Sequence, residues 1–421
     1  MLRAGAAGAA ALGLSSCARW GFASETPQLK FWNMPWGGTT FNPLDRQITT
    51  GFDGSPPATY QVIQWANFVP TFTSAVASRT GPAVSSGGGT QAFQFEDQGA
   101  IAYADDLIAG WESNGLAEDF LPGLLETMRV PNGYAAVPYN LDMRVLWYNQ
   151  RLLEEAGAAP PTDWPSYLEA CAALKEMDVY GYGTGTGAGA FTGTHALVCW
   201  MINNGGGLFN ENQEPDLVTP QNIEAMEFVL EMVEQGYVDP RSPSYSADNV
   251  QSQWEARAFG MGFEGGGLAN NIGGQIKEEL AVLSPLTSPS GEKGALFFPN
   301  NIMMYTDTPS QAASEEFVTY YYENMAPLWT EQTGIGLPPL TSITQTDGFR
   351  ADQNAVKIIE EWQPIARTWA APGGDALFVG VTAADGTPAM TSFAQTILSG
   401  RTDAESALTQ FQRDLESTLI S

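Results

Sequence analysis

The sequence predicts an α/β protein made of two lobes. Short apolar strand patterns alternate with amphipathic helical patterns along the chain, which is typical of a sheet covered by helices. The 421 residues are too many for one ordinary domain and suit two. Hydrophobic residues make up 43% of the chain and aromatic residues 11%, which is enough to form a core in each lobe.

Strands are predicted where apolar and polar residues alternate. The first is expected at Gln28–Met34, the second at Tyr60–Trp65 and the third at Ala83–Ser86, which three glycines follow. Binding residues in open α/β sheets lie in loops at strand ends, so these ends are candidate positions for a binding site.

Helices are predicted from their capping residues. Asp163 is expected to cap a helix that runs through Met177, and Thr219-Pro220 to start another, with proline at the first helical position. Ser310 opens an aromatic-rich helix. The sequence Thr402-Asp403-Ala404-Glu405 has the pattern of a capping box, with Thr402 as the cap of a C-terminal helix.

The N-terminus has the pattern of a signal peptide. An apolar run from Ala4 to Leu14 follows Arg3 and is too short to span a bilayer core of ~30 Å. The residues Leu14-Ser15-Ser16-Cys17 resemble a lipobox, in which the cysteine is lipidated and becomes the mature N-terminus. We therefore predict a lipoprotein signal peptide at 1–17 with lipidated Cys17, and a tether at 18–27. An ordinary signal peptide is the alternative.

Composition excludes some partners. Acidic residues number 47 against 18 basic ones, for a formal charge of −29, which repels phosphate backbones. Nucleic acid is therefore not an expected partner. Beyond the N-terminus the sequence has no stretch of ~18 consecutive apolar residues, so membrane contact is expected through the lipid anchor only.

Most enzyme classes lack their motifs. The chain has one histidine and no Gly-x-Ser-x-Gly, and its cysteines and histidine do not have zinc-ligand spacing. No catalytic residue, metal or cofactor is therefore predicted. The 47 acidic residues allow many carboxylate pairs, so a lipid-anchored glycoside hydrolase stays open as an alternative.

A known family shares the most distinctive segment. Residues 137–157, VPYNLDMRVLWYNQRLLEEAG, lead on to Pro160-Pro161-Thr162-Asp163-Trp164. This segment resembles the central signature of the family 1 extracellular solute-binding proteins, relatives of maltose-binding protein. Weaker matches follow in the family's order, and they are Trp200 with Gly205-Gly206-Gly207, the stretch 259–266, Ser310–Tyr321 and Gly400–Leu408. Two departures put the ligand class in doubt: Gly81-Pro82-Ala83-Val84 lacks the family's aspartate, and Gly267-Leu268 replaces a frequent tryptophan.

The resemblance implies a two-lobed periplasmic-binding-protein-like fold with three inter-lobe crossovers. These would fall near Ala136–Asn140, Ala295–Pro299 and Gly336–Leu340. Lobe one would comprise residues 28–137 plus 296–338, and lobe two residues 138–295 plus 339–421. The family's role implies an extracytoplasmic monomer, anchored at the outer face of the membrane or periplasmic. It would capture a sugar or polyol in the cleft, close by a hinge motion and deliver the ligand to the permease subunits of an ABC importer.

A sugar site needs flat aromatic surfaces for ring faces and planar polar groups for hydroxyls. Residues of these types occur at predicted strand ends, beside the crossovers and at the start of a lobe-two helix. The candidate ligand-binding residues are Trp36, Trp65, Phe68, Gln91, Tyr139, Asp142, Arg144, His195, Trp200, Glu264, Asn300 and Asn301. The glycine-rich stretch Gly183–Gly189 lacks nucleotide-site spacing and is interpreted as a cleft loop.

One alternative ligand and one alternative role remain beside a sugar receptor for transport. A cationic ligand, such as a polyamine or a choline-like compound, would suit aromatic residues together with Asp142 and Glu264. Such a site should have no arginine facing the ligand, so the position of Arg144 discriminates between the two. A sensor that presents its ligand to a membrane receptor cannot be separated from a transport protein by sequence.

Overall fold

The structure is a computed structural model that describes residues 28–64, 67–187, 189–272 and 274–420. The predicted signal peptide, Cys17 and the tether therefore lie outside the described residues, as does Trp65. Within the described ranges, none of the helices is long and apolar enough to cross a membrane.

Strands and helices alternate along the chain, as the sequence predicts. The strands are β1 Leu29–Asn33, β2 Ala58–Val62, β3 Val84–Gly87, β4 Ile101–Ala102, β5 Arg129–Val130, β6 Gly133–Tyr134, β7 Val137–Asn149, β8 Tyr180–Tyr182, β9 Phe259–Gly265, β10 Leu280–Val282, β11 Ala295–Tyr305 and β12 Ala366–Arg367. The α-helices are α1 Phe41–Thr50, α2 Phe68–Ser78, α3 Gln91–Asp97, α4 Asp105–Asn114, α5 Leu116–Asp119, α6 Gln150–Ala156, α7 Trp164–Lys175, α8 Phe191–Asn203, α9 Pro220–Glu234, α10 Ala247–Glu255, α11 Leu268–Asn271, α12 Gln311–Asn324, α13 Pro327–Thr330, α14 Thr341–Thr344, α15 Asp347–Arg350, α16 Gln353–Lys357, α17 Pro388–Leu398 and α18 Ala404–Ile420.

Helix starts follow the predicted capping chemistry closely. Asp163 accepts a hydrogen bond from the backbone N–H of Ser166 at the start of α7, and Thr219 and Ser310 cap α9 and α12 in the same way. The prediction at the last helix was wrong by one residue. Asp403, rather than Thr402, accepts from the Ser406 N–H at 2.8 Å, because α18 begins at Ala404.

Long strands hold the two halves of the sheet together. The strand order is β2-β1-β3-β11-β7-β9-β8, with β1 parallel to β2 and β3, and β7 antiparallel to β11 and β9. The first part of β7 pairs with β11, and its last part, from Arg144 onward, pairs with β9. The chain thus passes along β7 from one lobe into the other.

The other two crossings lie beside this strand. One is β11, and the other brings Leu337 against Leu141, where each backbone N–H donates to the other residue's carbonyl at 2.9 Å. The two-lobed α/β fold is confirmed, and the residue positions of the three crossings stay a prediction. The residue limits of each lobe stay a prediction.

Each lobe has its own aromatic core. In lobe one Phe31 contacts the rings of Phe317 and Tyr321, both at 5.3 Å between centroids. In lobe two the Trp164 ring stacks on Phe228 at 4.2 Å, and both contact Trp200. The lobe-one core thus includes Phe31 of β1, and the lobe-two core joins the helices α7, α8 and α9.

Candidate ligand-binding site

A cavity of about 1430 Å³ lies where the lobes meet. The central segment of β7 forms its floor, and β11 and the loops after β1, β3 and β9 contribute to its walls. Of the predicted site residues, the cavity wall contains Trp36, Asp142, Arg144, His195 and Asn300.

Trp36 stands on the lobe-one wall, three residues after β1 ends. Its indole N–H donates to the side-chain oxygens of Asn33 at 2.9 Å and Ser86 at 3.0 Å. The ring packs edge-on against Tyr139, with centroids 6.2 Å apart. These contacts with Asn33, Ser86 and Tyr139 hold the Trp36 ring, and part of its surface remains open to the cavity.

Alternation along β7 places polar side chains of Asn140, Asp142 and Arg144 on the same face of the strand. The Arg144 guanidinium donates to Asp142 at 2.5 Å through Nη1 and lies over the ring of Phe298, 4.8 Å from its centroid. Burial opposes the charge of Arg144, but the neighbouring carboxylates outweigh it and raise its pKa. The site therefore contains a permanent cation, held rigidly by Asp142.

The lone histidine is held between a cation and an acid. The Nε atom of Arg144 donates to His195 Nδ1 at 3.2 Å, so the ring proton lies on Nε2, which donates to Asp385 at 2.8 Å. Burial lowers the pKa of His195, and the charge of Arg144 lowers it further against the opposing effect of Asp385. His195 is therefore neutral at neutral pH and fixes the Asp385 carboxylate at the cavity edge.

Asn300 and Asn301, which were predicted as a pair of ligand-binding amides, point to opposite faces of β11. Asn300 lines the cavity and donates to the side-chain oxygen of Asn140 at 3.0 Å. Asn301 points the opposite way and donates to the Gly88 carbonyl at 3.3 Å. Because neighbouring strand residues point to opposite faces, the structure brings only Asn300 to the cavity, and ligand contact by Asn301 stays a prediction. Asn301 instead supports the loop after β3.

Phe68 and Gln91 lie in a smaller neighbouring pocket of about 190 Å³. It shares Phe298 and Asp385 with the main cavity and also contains Trp369. The two predicted residues therefore lie next to the main cavity and not in its wall.

Three further candidates lie behind the cavity wall. Trp200 has no exposed surface and packs among core aromatic residues. It follows His195 by five positions in α8, so its side chain points about 140° away from that of His195 around the helix axis. Tyr139 is equally buried and bonds to the hydroxyl of Tyr321 at 2.9 Å. Glu264 precedes the wall residue Gly265 and accepts from the Trp254 indole at 3.1 Å. None of the three lines the cavity, and contact of any of them with a ligand stays a prediction.

The glycine-rich stretch was also misplaced. A side-chain carbon at Gly183 would lie 2.4 Å from Phe259, and one at Gly185 would lie 2.5 Å from Val250. These glycines allow the backbone to pack closely on lobe two, and the described residues of the stretch do not line the cavity.

Asp385 and Phe191 are among the cavity residues that sequence reasoning missed. Asp385 is brought to His195 from 190 residues along the chain, a distance that no local motif reveals. Phe191, the first residue of α8, keeps half of its surface exposed and also lines the cavity. A large apolar side chain directly after a glycine-rich segment was the one signal available for Phe191.

Comparison with known proteins identifies the family. The model of the bacterial extracellular solute-binding proteins matches residues 57–326, more than half of the chain. The chain belongs to this family. It is 49% identical to a sugar transporter from Arthrobacter chlorophenolicus A6, solved with bound laminaribiose. That match covers 93% of this chain and 99% of that one, with a TM-score of 0.82.

More distant similarities are found in both structure and sequence. The sugar-binding protein MalE from Xanthomonas citri is 17% identical, with 93% of this chain and 97% of that one covered and a TM-score of 0.76. A putative binding protein of Brucella abortus (strain 2308) is 21% identical over 296 residues, 67% of this chain and 69% of the relative. The chain is thus similar to binding proteins along most of its length.

Proposed function

We propose that this protein captures a short oligosaccharide in the inter-lobe cavity. The observation that carries the proposal is the mixed character of the cavity wall. Aromatic surface from Trp36 and Phe191 stands beside Asp142, Arg144 and Asp385. Aromatic faces suit the apolar faces of sugar rings, and fixed charged groups form strong hydrogen bonds with hydroxyls.

The first ligand to test is laminaribiose. The Arthrobacter protein that binds it shares 49% of its residues with this chain and matches nearly its whole length. A cavity of about 1430 Å³ has room for more than a disaccharide, so longer chains of the same linkage form the next group of ligands.

The position of Arg144 supports a sugar over a cation. Its side chain lies in the cavity wall, where a guanidinium repels a bound polyamine or choline-like ligand. The family consists of binding proteins, which supports capture without turnover.

Delivery and location follow from the family. We propose that the closed, sugar-loaded form docks on the permease subunits of an ABC importer, outside the cytoplasmic membrane, with the protein acting as a lipid-anchored monomer. Replacement of Cys17 by alanine tests the anchor. The variant should leave the membrane fraction and bind sugar unchanged, whereas continued membrane attachment would rule out lipidation at Cys17.

Isothermal titration calorimetry of the full chain tests sugar capture. Laminaribiose should bind with 1:1 stoichiometry and raise the melting temperature, because a ligand of the folded state stabilises it by mass action. Cellobiose, maltose, spermidine and choline serve as comparison ligands. Heat and thermal shift with the amines alone would favour the cationic alternative, and release of glucose during the titration would favour the hydrolase.

A further inference from the structure

The orientation of Trp36 depends on the side chain of Asn33. The amide oxygen of Asn33 accepts from the Trp36 indole at 2.9 Å and from the Met34 N–H at 2.9 Å, and the Ser86 hydroxyl also donates to it. Three donors therefore meet at one oxygen. A reversed amide would place its own N–H groups against these donors, so the oxygen must face Trp36.

Asp45 determines which way that amide points. The Asn33 amide nitrogen donates to Asp45 Oδ2 at 2.6 Å, on the side opposite Trp36. An ionised carboxylate accepts hydrogen bonds and has none to donate, so it favours the amide nitrogen over the amide oxygen. Asp45 thus acts on the Trp36 indole through one intervening side chain.

A second route joins the same two residues. The Tyr321 hydroxyl donates to Asp45 Oδ1, and it is 2.9 Å from the Tyr139 hydroxyl. The Tyr139 ring packs edge-on against Trp36, with an interplanar angle of 78°. Asp45 therefore fixes the hydrogen-bonding edge of the Trp36 indole through Asn33. Through Tyr321 it also fixes Tyr139, which packs against the indole ring.

We propose that Asp45 is a positioning residue for sugar binding, which holds Trp36 in the orientation that a sugar ring stacks on. Asp45 has no exposed surface and does not line the cavity, so it acts on the ligand through Trp36 alone. The inference rests on the proposed function, since Trp36 must contact the sugar.

The test is a double-mutant cycle on laminaribiose affinity, measured by calorimetry with the full chain. Asp45→Leu should weaken binding about tenfold when Trp36 is present and less than twofold in the Trp36→Ala background. Asp45→Asn keeps one oxygen that can accept from the Asn33 amide, so its laminaribiose affinity should stay within about threefold of the wild-type value. Circular dichroism and melting temperature confirm the fold of each variant.

Asp239 provides a matched control in lobe two. It also has no exposed surface, and its carboxylate accepts from the Tyr245 hydroxyl at 2.6 Å and from Arg241. It has no hydrogen-bonded path to Trp36 among the described residues. Asp239→Leu should lower the melting temperature and leave the laminaribiose affinity within twofold of the wild type.

Two results would overturn the proposal. A folded Asp45→Leu variant with wild-type affinity would do so, as would an equal loss of affinity with and without Trp36, which indicates a general structural role. If Asp45→Leu does not fold, Tyr321→Phe takes its place in the cycle, because it removes the hydroxyl that links Asp45 to Tyr139. The expected loss is about threefold, and Trp36→Ala should abolish it. An additive loss there would equally overturn the proposal.

The same data separate this proposal from sugar capture itself. Wild-type protein that binds none of the sugars would overturn the proposed function. Wild-type binding that Trp36→Ala leaves unchanged would overturn the role of Asp45 and leave sugar capture standing.

Discussion

Lobe one buries the carboxyl group of Asp45 and lobe two buries that of Glu264, and the two differ in the donors that they receive. Asp45 accepts from Tyr321 and Asn33, whereas the hydrogen bond described for Glu264 comes from the Trp254 indole. Burial raises the pKa of Asp45 to about 6 and that of Glu264 to about 7, although the charge of Arg144 lowers the latter. In both carboxyls burial outweighs the hydrogen-bond donors, which recover only part of its cost.

Both groups make stability depend on pH in a direction opposite to that of an acid in a salt bridge. A carboxyl whose pKa is higher in the folded than in the unfolded chain stabilises the fold while it is protonated. For Asp45 this stabilisation is complete below pH 3.8 and is lost as the pH rises through about 6. For Glu264 it is complete below 4.5 and is lost as the pH rises through about 7.

The largest expected effect is that of Glu264→Gln. An elevation of the pKa from 4.5 to about 7 corresponds to about 3 kcal/mol, since one pKa unit is worth ~1.4 kcal/mol. At pH 8 the variant should gain about this much free energy of unfolding, and at pH 4.5 almost none. Urea denaturation at the two pH values measures the difference. An equal gain at both would mean that packing, and not charge, is responsible.

Asp45→Asn should show the same pattern with a smaller gain, about 2 kcal/mol at pH 8. The gain is smaller because an asparagine offers one acceptor where two donors, Tyr321 and Asn33, now meet the carboxylate. The same urea series, extended down to pH 4, provides the measurement. A larger gain than that of Glu264→Gln would mean that burial of the carboxylate costs more stability in lobe one than in lobe two.

Trp254→Phe removes the indole donor of Glu264 and should raise the pKa of this acid further. The loss of stability at pH 8 should exceed that at pH 4.5 by about 1 kcal/mol, the cost of a buried acceptor left unpaired. In the Glu264→Leu background this pH dependence should disappear. Its persistence there would show that Glu264 is not the group affected.

Asp385→Asn should have the smallest effect on stability, below about 0.5 kcal/mol, because the Asp385 side chain is 33% exposed. The effect on laminaribiose affinity should instead be about fivefold, since the fixed carboxylate borders the cavity. The pKa of His195, followed by NMR, should fall, because Asp385 raises it in the wild type. A His195 pKa that does not change would break the assigned contact between these two residues.

Local signals were predictable from the sequence and long-range placements were not. Asp163, Thr219 and Ser310 were identified as helix caps because a cap depends on residues within one turn. Asp142 and Arg144 could be placed near the cleft because they lie in the segment that resembles a crossover.

The remaining site residues depend on packing. Trp200 belongs to a helix that is buried on nearly every side, so its apolar pattern marks no face. Asn300 and Asn301 point to opposite faces of β11, and which of these faces borders the cavity depends on the pairing of β11 with β7. Asp385 reaches the cavity only when the chain after α16 folds back onto α8.

The central position of β11 also has a consequence for biosynthesis. This strand lies between β3 and β7 and ends at Tyr305, whereas the chain has 421 residues. The lobe-one half of the sheet cannot be completed until roughly 70% of the polypeptide has been made, because β3, β4 and the first part of β7 all pair with β11. A nascent chain therefore lacks the central strand of its lobe-one sheet for most of its synthesis, so this lobe completes its sheet late in translation.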